Sequence, residues 1–241
     1  MLWMSVMIQA PAWKDGAKWR LVELQLAHVC DSFWAVYHRT MNGTSADVTA
    51  FILAGGKSTR MGTDKALVTL DGRTLLARAL DLARSVAPDV RIVGDTAKFA
   101  AFAPVVEDVF RDCGPLGGIH AALRASSTDL NLILAVDVPF VSLAFSQYLI
   151  RCAQAASAVA TVPRASGGWQ PLCAVYRREF ADAAEGELRA RRYKIDSLFD
   201  TVRVQAIEEA ELAEAGFSPR IFRNLNTKEE LEAASTQGVT G

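Results

Sequence analysis

The sequence lacks any apolar run long enough to cross a membrane; its best candidate, NLILAVDVPFV, is interrupted by Asp137. Charge of one sign is not in surplus either. The 26 Lys and Arg residues nearly balance 27 Asp and Glu, for a net charge of -1, so neither a general nucleic-acid binder nor a membrane-surface binder is expected. Cysteine is sparse, with Cys30, Cys113, Cys152 and Cys173 far apart and no CxxC pair. That spacing supports neither a zinc knuckle nor a disulfide scaffold, and each thiol is expected to be a small buried hydrophobe. Two glycine fingerprints are missing as well. Without G-x-G-x-x-G a Rossmann dinucleotide site is not indicated, and without G-x-x-x-x-G-K-[ST] the chain is not a P-loop ATPase or GTPase.

What the sequence does contain is FILAGGKSTRMGTDKAL, from Phe51 to Leu67. The apolar run Phe51, Ile52, Leu53, Ala54 reads as a buried parallel strand, and Gly55-Gly56 as a tight turn or a close approach of backbone to a ligand. Successive backbone N–H groups in such a turn form an anion-binding concavity, to which Arg60 and Lys65 can add charge-assisted contacts. The expected occupant is a nucleoside triphosphate.

With 241 residues, 51% hydrophobic and 22% charged, the chain has the size and composition of one globular domain with appendages. Residues 1–47 stand apart. They hold four of the five tryptophans, show poor periodicity outside WRLVELQLAHVCDSFWAVY, and do not read as a signal peptide. They are expected either to lie outside the working protein, with translation beginning near Met41, or to be a poorly ordered or appended helical extension, as a partner-binding appendage or a helix packed on the core. From Val48 onward strands and helices alternate. Strands are expected at Val48–Leu53, Val90–Val93, Val105–Val106, Asn131–Val136, Ala158–Val162, Pro171–Tyr176 and Val202–Ile207. Helices are expected at Thr74–Ser85, Ile119–Ala125, Leu143–Ala156, Phe180–Arg192 and Lys228–Ala234, with RASGGWQ as a loop and Gly114–Gly118 as punctuation. This alternation predicts an α/β domain over 48–235, an open, largely parallel sheet with helices on both faces, and a frayed tail at 236–241.

Three carboxylates in this layout end strands: Asp95, Asp108 and Asp137. Ligands of open α/β sheets bind beyond the carboxyl ends of strands. Asp137 follows six residues without charge and is a natural Mg²⁺ ligand, because that ion takes one or two carboxylates together with phosphates and water.

The loop Leu53–Lys65 resembles the signature of the nucleotidyltransferases, and more narrowly that of the molybdenum cofactor guanylyltransferases, which attach GMP to molybdopterin. The likeness extends to about Ala234 through Val106-Glu107-Asp108 with Gly114-Pro115-Leu116-Gly117-Gly118, Asp137 in AVDVPF, Gln170-Pro171-Leu172, and Phe222-Arg223-Asn224-Leu225-Asn226-Thr227. The resemblance implies a single-domain, Rossmann-like nucleotidyltransferase fold. It also implies that Leu53, Ala54, Gly55 and Gly56 contact the guanine nucleotide, with Lys65 on its phosphates and Mg²⁺ on Asp137. Asp108 would be a further nucleotide contact. Asp95 falls where the family commonly carries a nucleotide-binding Asn. Gln170, Pro171, Asn224 and Asn226 match the pterin side. Cytidylyltransferase relatives usually read LAAG where this chain has Leu53-Ala54-Gly55-Gly56, which favours guanine.

The implied reaction is attack of the molybdopterin phosphate on the α-phosphorus of GTP, with Mg²⁺ as cofactor and Arg60, Lys65 and Asp137 as the catalytic groups. The implied partners are GTP, molybdopterin and, transiently, other cofactor biosynthesis proteins, in the cytoplasm and without nucleic acid or membrane. Two alternatives share the loop: transfer to another phosphorylated small molecule (a cytidylyl or sugar-phosphate type), and a GTP-binding protein whose catalysis has lapsed. His120, beside the GPLGG turn, reads as structural.

Overall fold

Val48–Leu53 forms the first strand, β1, and all six of its residues are buried, so it has protein on both faces. The computed structural model describes residues 47–55, 64–225 and 230. The expectations for residues 1–46, Gly56, Arg60, Asn226, the closing helix apart from Glu230, and the tail lie outside the described residues.

After β1 come the two-residue strands β2 (Thr69–Leu70) and β3 (Arg73–Thr74), then helix α1 (Leu75–Arg84), β4 (Asp89–Val93), the short helix α2 (Thr96–Phe99) and β5 (Val105–Val106). Helix α3 (Pro115–Ala125), β6 (Leu130–Ala135), α4 (Leu143–Ala155), β7 (Ala160–Ala165) and β8 (Gly168–Trp169) follow. The chain continues through β9 (Cys173–Arg177), α5 (Phe180–Arg189), β10 (Val204–Ile207) and α6 (Glu209–Glu214). The main sheet runs β10-β7-β9-β6-β1-β4-β5, with β8 paired to β7. Its strands are parallel except for β9, which runs against both β6 and β7, and β8, which runs against β7.

The period-two alternation of the strands decides which helix covers which face. Val48, Ala50 and Ile52 point into one core with Leu75, Leu76 and Leu80 of α1 and Phe145 and Leu149 of α4. Phe51 and Leu53 point into the other with Leu116, Ile119 and Leu123 of α3 and Phe180 and Leu188 of α5. Each fully buried side chain of this size stabilises the fold by roughly 1.5–3 kcal/mol before entropy is counted. Strand order also reverses at β1: β4 follows on one side of it and β6 is inserted on the other. The crossover helices α1 and α3 therefore lie on opposite faces, as right-handed connections require.

Local signals start the helices. Thr74 Oγ1 accepts from Ala77 N at 3.1 Å to cap α1, and Ser142 Oγ accepts from Phe145 N at 3.2 Å to cap α4. Helix α3 begins four residues before the expected Ile119. Pro115 sits in its first turn, where the missing N–H costs nothing, and Gly114 supplies the φ of 67° that turns the chain into it.

Other expectations are corrected. RASGGWQ is a hairpin rather than a loop: Arg164 pairs with Trp169 and Ala165 with Gly168 around Ser166 (φ 53°) and Gly167 (φ 76°). β7 accordingly extends to Ala165. β8 already runs against β7, and the three-residue link from β8 to β9 is too short for a crossover, so β9 keeps that direction and runs against β7 and β6. It starts at Cys173, with Pro171 and Leu172 in the approach to it. Helix α5 stops at Arg189, with Arg191 at φ 58°. Only Cys173 among the described cysteines is fully buried; Cys113 and Cys152 are half-buried.

Candidate active site

The carboxyl ends of β1, β4, β5 and β6 open into one cleft of about 980 Å³, at the point where strand order reverses. Backbone bonds hold these ends flush. Ala54 N donates to Val93 O (3.0 Å), Gly94 N to Val106 O (3.0 Å), Val136 N to Leu53 O (3.2 Å) and Ala135 N to Leu172 O (2.8 Å). A Cβ at Gly94 would lie 3.0 Å from the Phe99 ring, which explains the glycine there.

Lys65 opens a 3-10 turn, Lys65–Leu67, capped by Asp64, whose Oδ1 accepts from Ala66 N at 3.2 Å. From this turn Lys65 Nζ reaches Asp137 Oδ2 at 2.6 Å. Their side chains are 16% and 22% exposed, open enough for a ligand to reach and enclosed enough for the attraction between them to count. Asp137 follows β6, and its carbonyl accepts from Leu225 N at 3.1 Å, so the segment before Asn226 docks on the same corner. Asn224 is exposed beside that bond.

Leu53, Ala54, Gly55, Lys65, Asp95, Asp108 and Asp137, all named from the sequence, line this cleft together. Their situations differ. Asp95 caps α2, its Oδ1 accepting from Ala97 N at 2.9 Å. Asp108 Oδ1 is buried with no hydrogen-bond partner among the described residues, and burial pushes its carboxyl above the usual carboxylate range. Gly118 of α3 lies against this carboxylate; a Cβ there would be 3.6 Å from Asp108 Oδ1.

Gln170 and Pro171 are not part of the cleft lining; Leu172 is. Gln170 instead braces the β7–β8 hairpin, its N donating to Pro163 O (2.9 Å) and its Nε2 to Ala165 O (3.2 Å). Pro171 O accepts from Tyr176 Oη at 2.8 Å.

The cleft also gathers charged residues to which sequence reasoning assigned no site role: Asp64, Lys98, Glu107, Arg111 and Asp112. Lys98 Nζ lies 2.8 Å from Asp64 Oδ2. Asp64 had a signal, being adjacent to Lys65; Lys98 had none, because α2 is only four residues long.

His120 lies behind the cleft, 3% exposed. Its Nε2 is 3.4 Å from both Glu185 Oε2 and Arg124 Nε, and the Phe110 ring meets it edge-on. Burial holds the imidazole below its ordinary pKa, against the opposing hydrogen bond to Glu185. This agrees with the structural reading of His120. Among the described residues, no three His, Cys, Asp or Glu side chains converge on a metal position, and no helix is long and apolar enough to cross a membrane.

Comparison with known proteins bears on what such a cleft does. Residues 50–205 match the MobA-like NTP transferase domain. The molybdenum cofactor guanylyltransferase of Desulfosudis oleivorans is 38% identical over 78% of this chain and 94% of its own. That of Syntrophotalea carbinolica is 33% identical over 78% of this chain and 91% of its own. Among solved structures, the molybdopterin-guanine dinucleotide biosynthesis protein A of Archaeoglobus fulgidus superposes with a TM-score of 0.69 at 26% identity, covering 78% of this chain and 97% of that one.

Proposed function

The chain belongs to the MobA-like NTP transferase family, and on that premise we propose that it transfers GMP from GTP to molybdopterin and releases pyrophosphate. The observation that carries this reading is the Lys65–Asp137 pair, 2.6 Å apart, at the corner where β1 and β6 deliver their carboxyl ends. A phosphate oxygen of the acceptor attacks the α-phosphorus, the bond from that phosphorus to the α–β bridging oxygen breaks, and pyrophosphate leaves with the electron pair. The attacking oxygen is already ionised at neutral pH, so no general base is required. The protein's work is positioning and charge stabilisation. Lys65, with Arg60, supplies positive charge to the departing pyrophosphate.

Asp137 suits a divalent cation such as Mg²⁺, because a single accessible carboxylate leaves the remaining positions to phosphate and water. The charge balance favours one too: the described lining has six carboxyl groups (Asp64, Asp95, Glu107, Asp108, Asp112, Asp137) against Lys65, Lys98 and Arg111. When bound, such an ion would neutralise phosphate charge beside Asp137. The partnerless Asp108 Oδ1 is an acceptor suited to a donor of the nucleotide. The pterin is proposed to lie on the Leu172 and Asn224 side, with Gln170 and Pro171 shaping the hairpin behind it. A GTP-consuming step of this kind belongs in the cytoplasm.

The test is to incubate the purified protein with α-labelled GTP or CTP, Mg²⁺ and molybdopterin. Label passing from GTP to the pterin with pyrophosphate release is expected. Transfer from CTP alone, transfer only to a sugar phosphate, or tight GTP binding with no transfer would each overturn the reading.

A further inference from the structure

Lys98 lines the cleft and is joined to the catalytic corner through Asp64. Its Nζ holds Asp64 Oδ2 at 2.8 Å, while Asp64 Oδ1 accepts from Ala66 N at 3.2 Å, so both oxygens of that carboxylate are engaged. The next residue along the chain is Lys65, whose ammonium sits 2.6 Å from Asp137. The helix carrying Lys98 is itself fixed at both ends of its single turn. Asp95 caps its start, and Phe99 is 1% exposed and lies against Gly94. A rigid mount on the β4 side of the cleft is thus joined by one ion pair to the turn that presents Lys65.

We propose that Lys98 is a positioning residue for the transfer reaction, clamping Asp64 so that the Lys65–Leu67 turn delivers the Lys65 ammonium to Asp137. This rests on the guanylyl-transfer reading above. It also gives Asp95 a part in the site without a contact to the base: as the cap of α2 it secures the mount. The Lys98 side chain is 53% exposed, and exposed ion pairs contribute little to stability. Its effect therefore belongs in the rate and not in folding. Small displacements of a catalytic group are costly to turnover, which is where the clamp acts.

Three variants test this, with wild type measured alongside. Lys98→Met removes the clamp, and Asp64→Asn keeps a capping oxygen but drops the charge that Lys98 holds. Each is expected to lower kcat about two- to fivefold, the most an exposed pair of this kind can bias the turn, leaving KM for GTP within about twofold and thermal unfolding nearly unchanged. The double variant should be no slower than either single one, because both remove the same contact. Lys98→Arg should recover most of the rate. Raised salt should slow the wild type towards the variants, since the pair is exposed. An unaltered kcat in Lys98→Met, a raised KM for GTP with kcat intact (Lys98 touching the nucleotide directly), or a wild-type rate in Asp64→Asn would each overturn the clamp. Those results leave wild-type transfer in place. A wild type that transfers nothing refutes the functional reading itself, and the clamp with it.

Discussion

At the scale of single residues, Lys65 and Asp137 form an ion pair in a partly enclosed corner. Either substitution loses that contact, but the two act on groups of opposite charge and so differ in their chemistry. Lys65→Met is expected to lower kcat by about 10²–10³, the usual loss when one stabilising group for developing negative charge is deleted, with the protein still folded by circular dichroism. Asp137→Asn keeps the shape and loses the carboxylate charge. Its activity should need markedly more Mg²⁺ for half-maximal rate, read from a Mg²⁺ titration at fixed GTP; an unchanged titration would remove Asp137 as the ion's ligand. Asp137 was legible in the sequence because an uncharged run stops at an acid, whereas Lys65, one of three cations after the glycine pair, was singled out by the family resemblance of its loop. Lys98 was not, because its pairing with Asp64 spans 34 positions of sequence and depends on how β4 sits beside β1.

At the scale of elements, glycines separate close approach from mere permissiveness. In α3, a Cβ on Gly117 would sit 2.8 Å from the backbone oxygen of Phe110, in the loop that carries Asp108. Gly117→Ala must push that loop away, at about 1–3 kcal/mol. In α5, Gly186 is exposed with nothing within 4 Å of its would-be Cβ, so Gly186→Ala should stabilise by roughly 0.5–1 kcal/mol through helix propensity. Urea unfolding of the two variants checks both signs at once. The long elements were readable because burial imposes period: β1 was located to the residue, and α1 and α4 to within one residue at each end. Of the short ones, β5 was also placed to the residue, at Val105–Val106, but β2, β3, β8 and α2 were not, although the two hairpins carried a turn signal. Asp71-Gly72, both at positive φ, closes the β2–β3 hairpin, and Ser166-Gly167 closes β7–β8 in the same way. Strands of two residues show no alternation to read.

At the scale of the whole molecule, α3 and α5 are tied across one face of the sheet by a network centred on Glu185. Arg124 and Arg189 each donate to it at 2.6 Å, Arg124 also pairs with Asp182 at 2.7 Å, and His120 completes the set. Hydrogen bonds from Arg189 first, then Arg124 and His120, hold the Glu185 carboxyl down to about 2. A depressed acid contributes stability above its unfolded pKa near 4.5 and loses it only as pH falls towards 2, so Glu185 is silent between pH 5 and 7. His120 has the opposite charge type and is also depressed, below 6.5. In that case the unfolded chain takes up the proton first, and stability is lost progressively as pH falls from about 6.5 through the folded pKa. Wild type should therefore lose more stability between pH 7 and pH 5 than His120→Gln does, as measured by urea midpoints. Parallel slopes for the two proteins would exclude His120 as the source.

The reversed strand β9 has a consequence for how the chain is made. β9 lies between β6 and β7, yet it is synthesised after both. When β1, β4, β5 and β6 have left the ribosome, the half-sheet that forms the cleft can assemble, but one side of β6 then has no neighbour. That strand reads LNLILA, and every residue in it is buried in the finished protein. An open edge of this composition is a template for pairing with other chains. It stays open until Cys173–Arg177 emerges and Leu130–Leu134 pairs with it. A nascent chain paused between Ala135 and Cys173 is thus expected to be at its most adhesive, because it exposes an edge that β9 covers in the completed sheet.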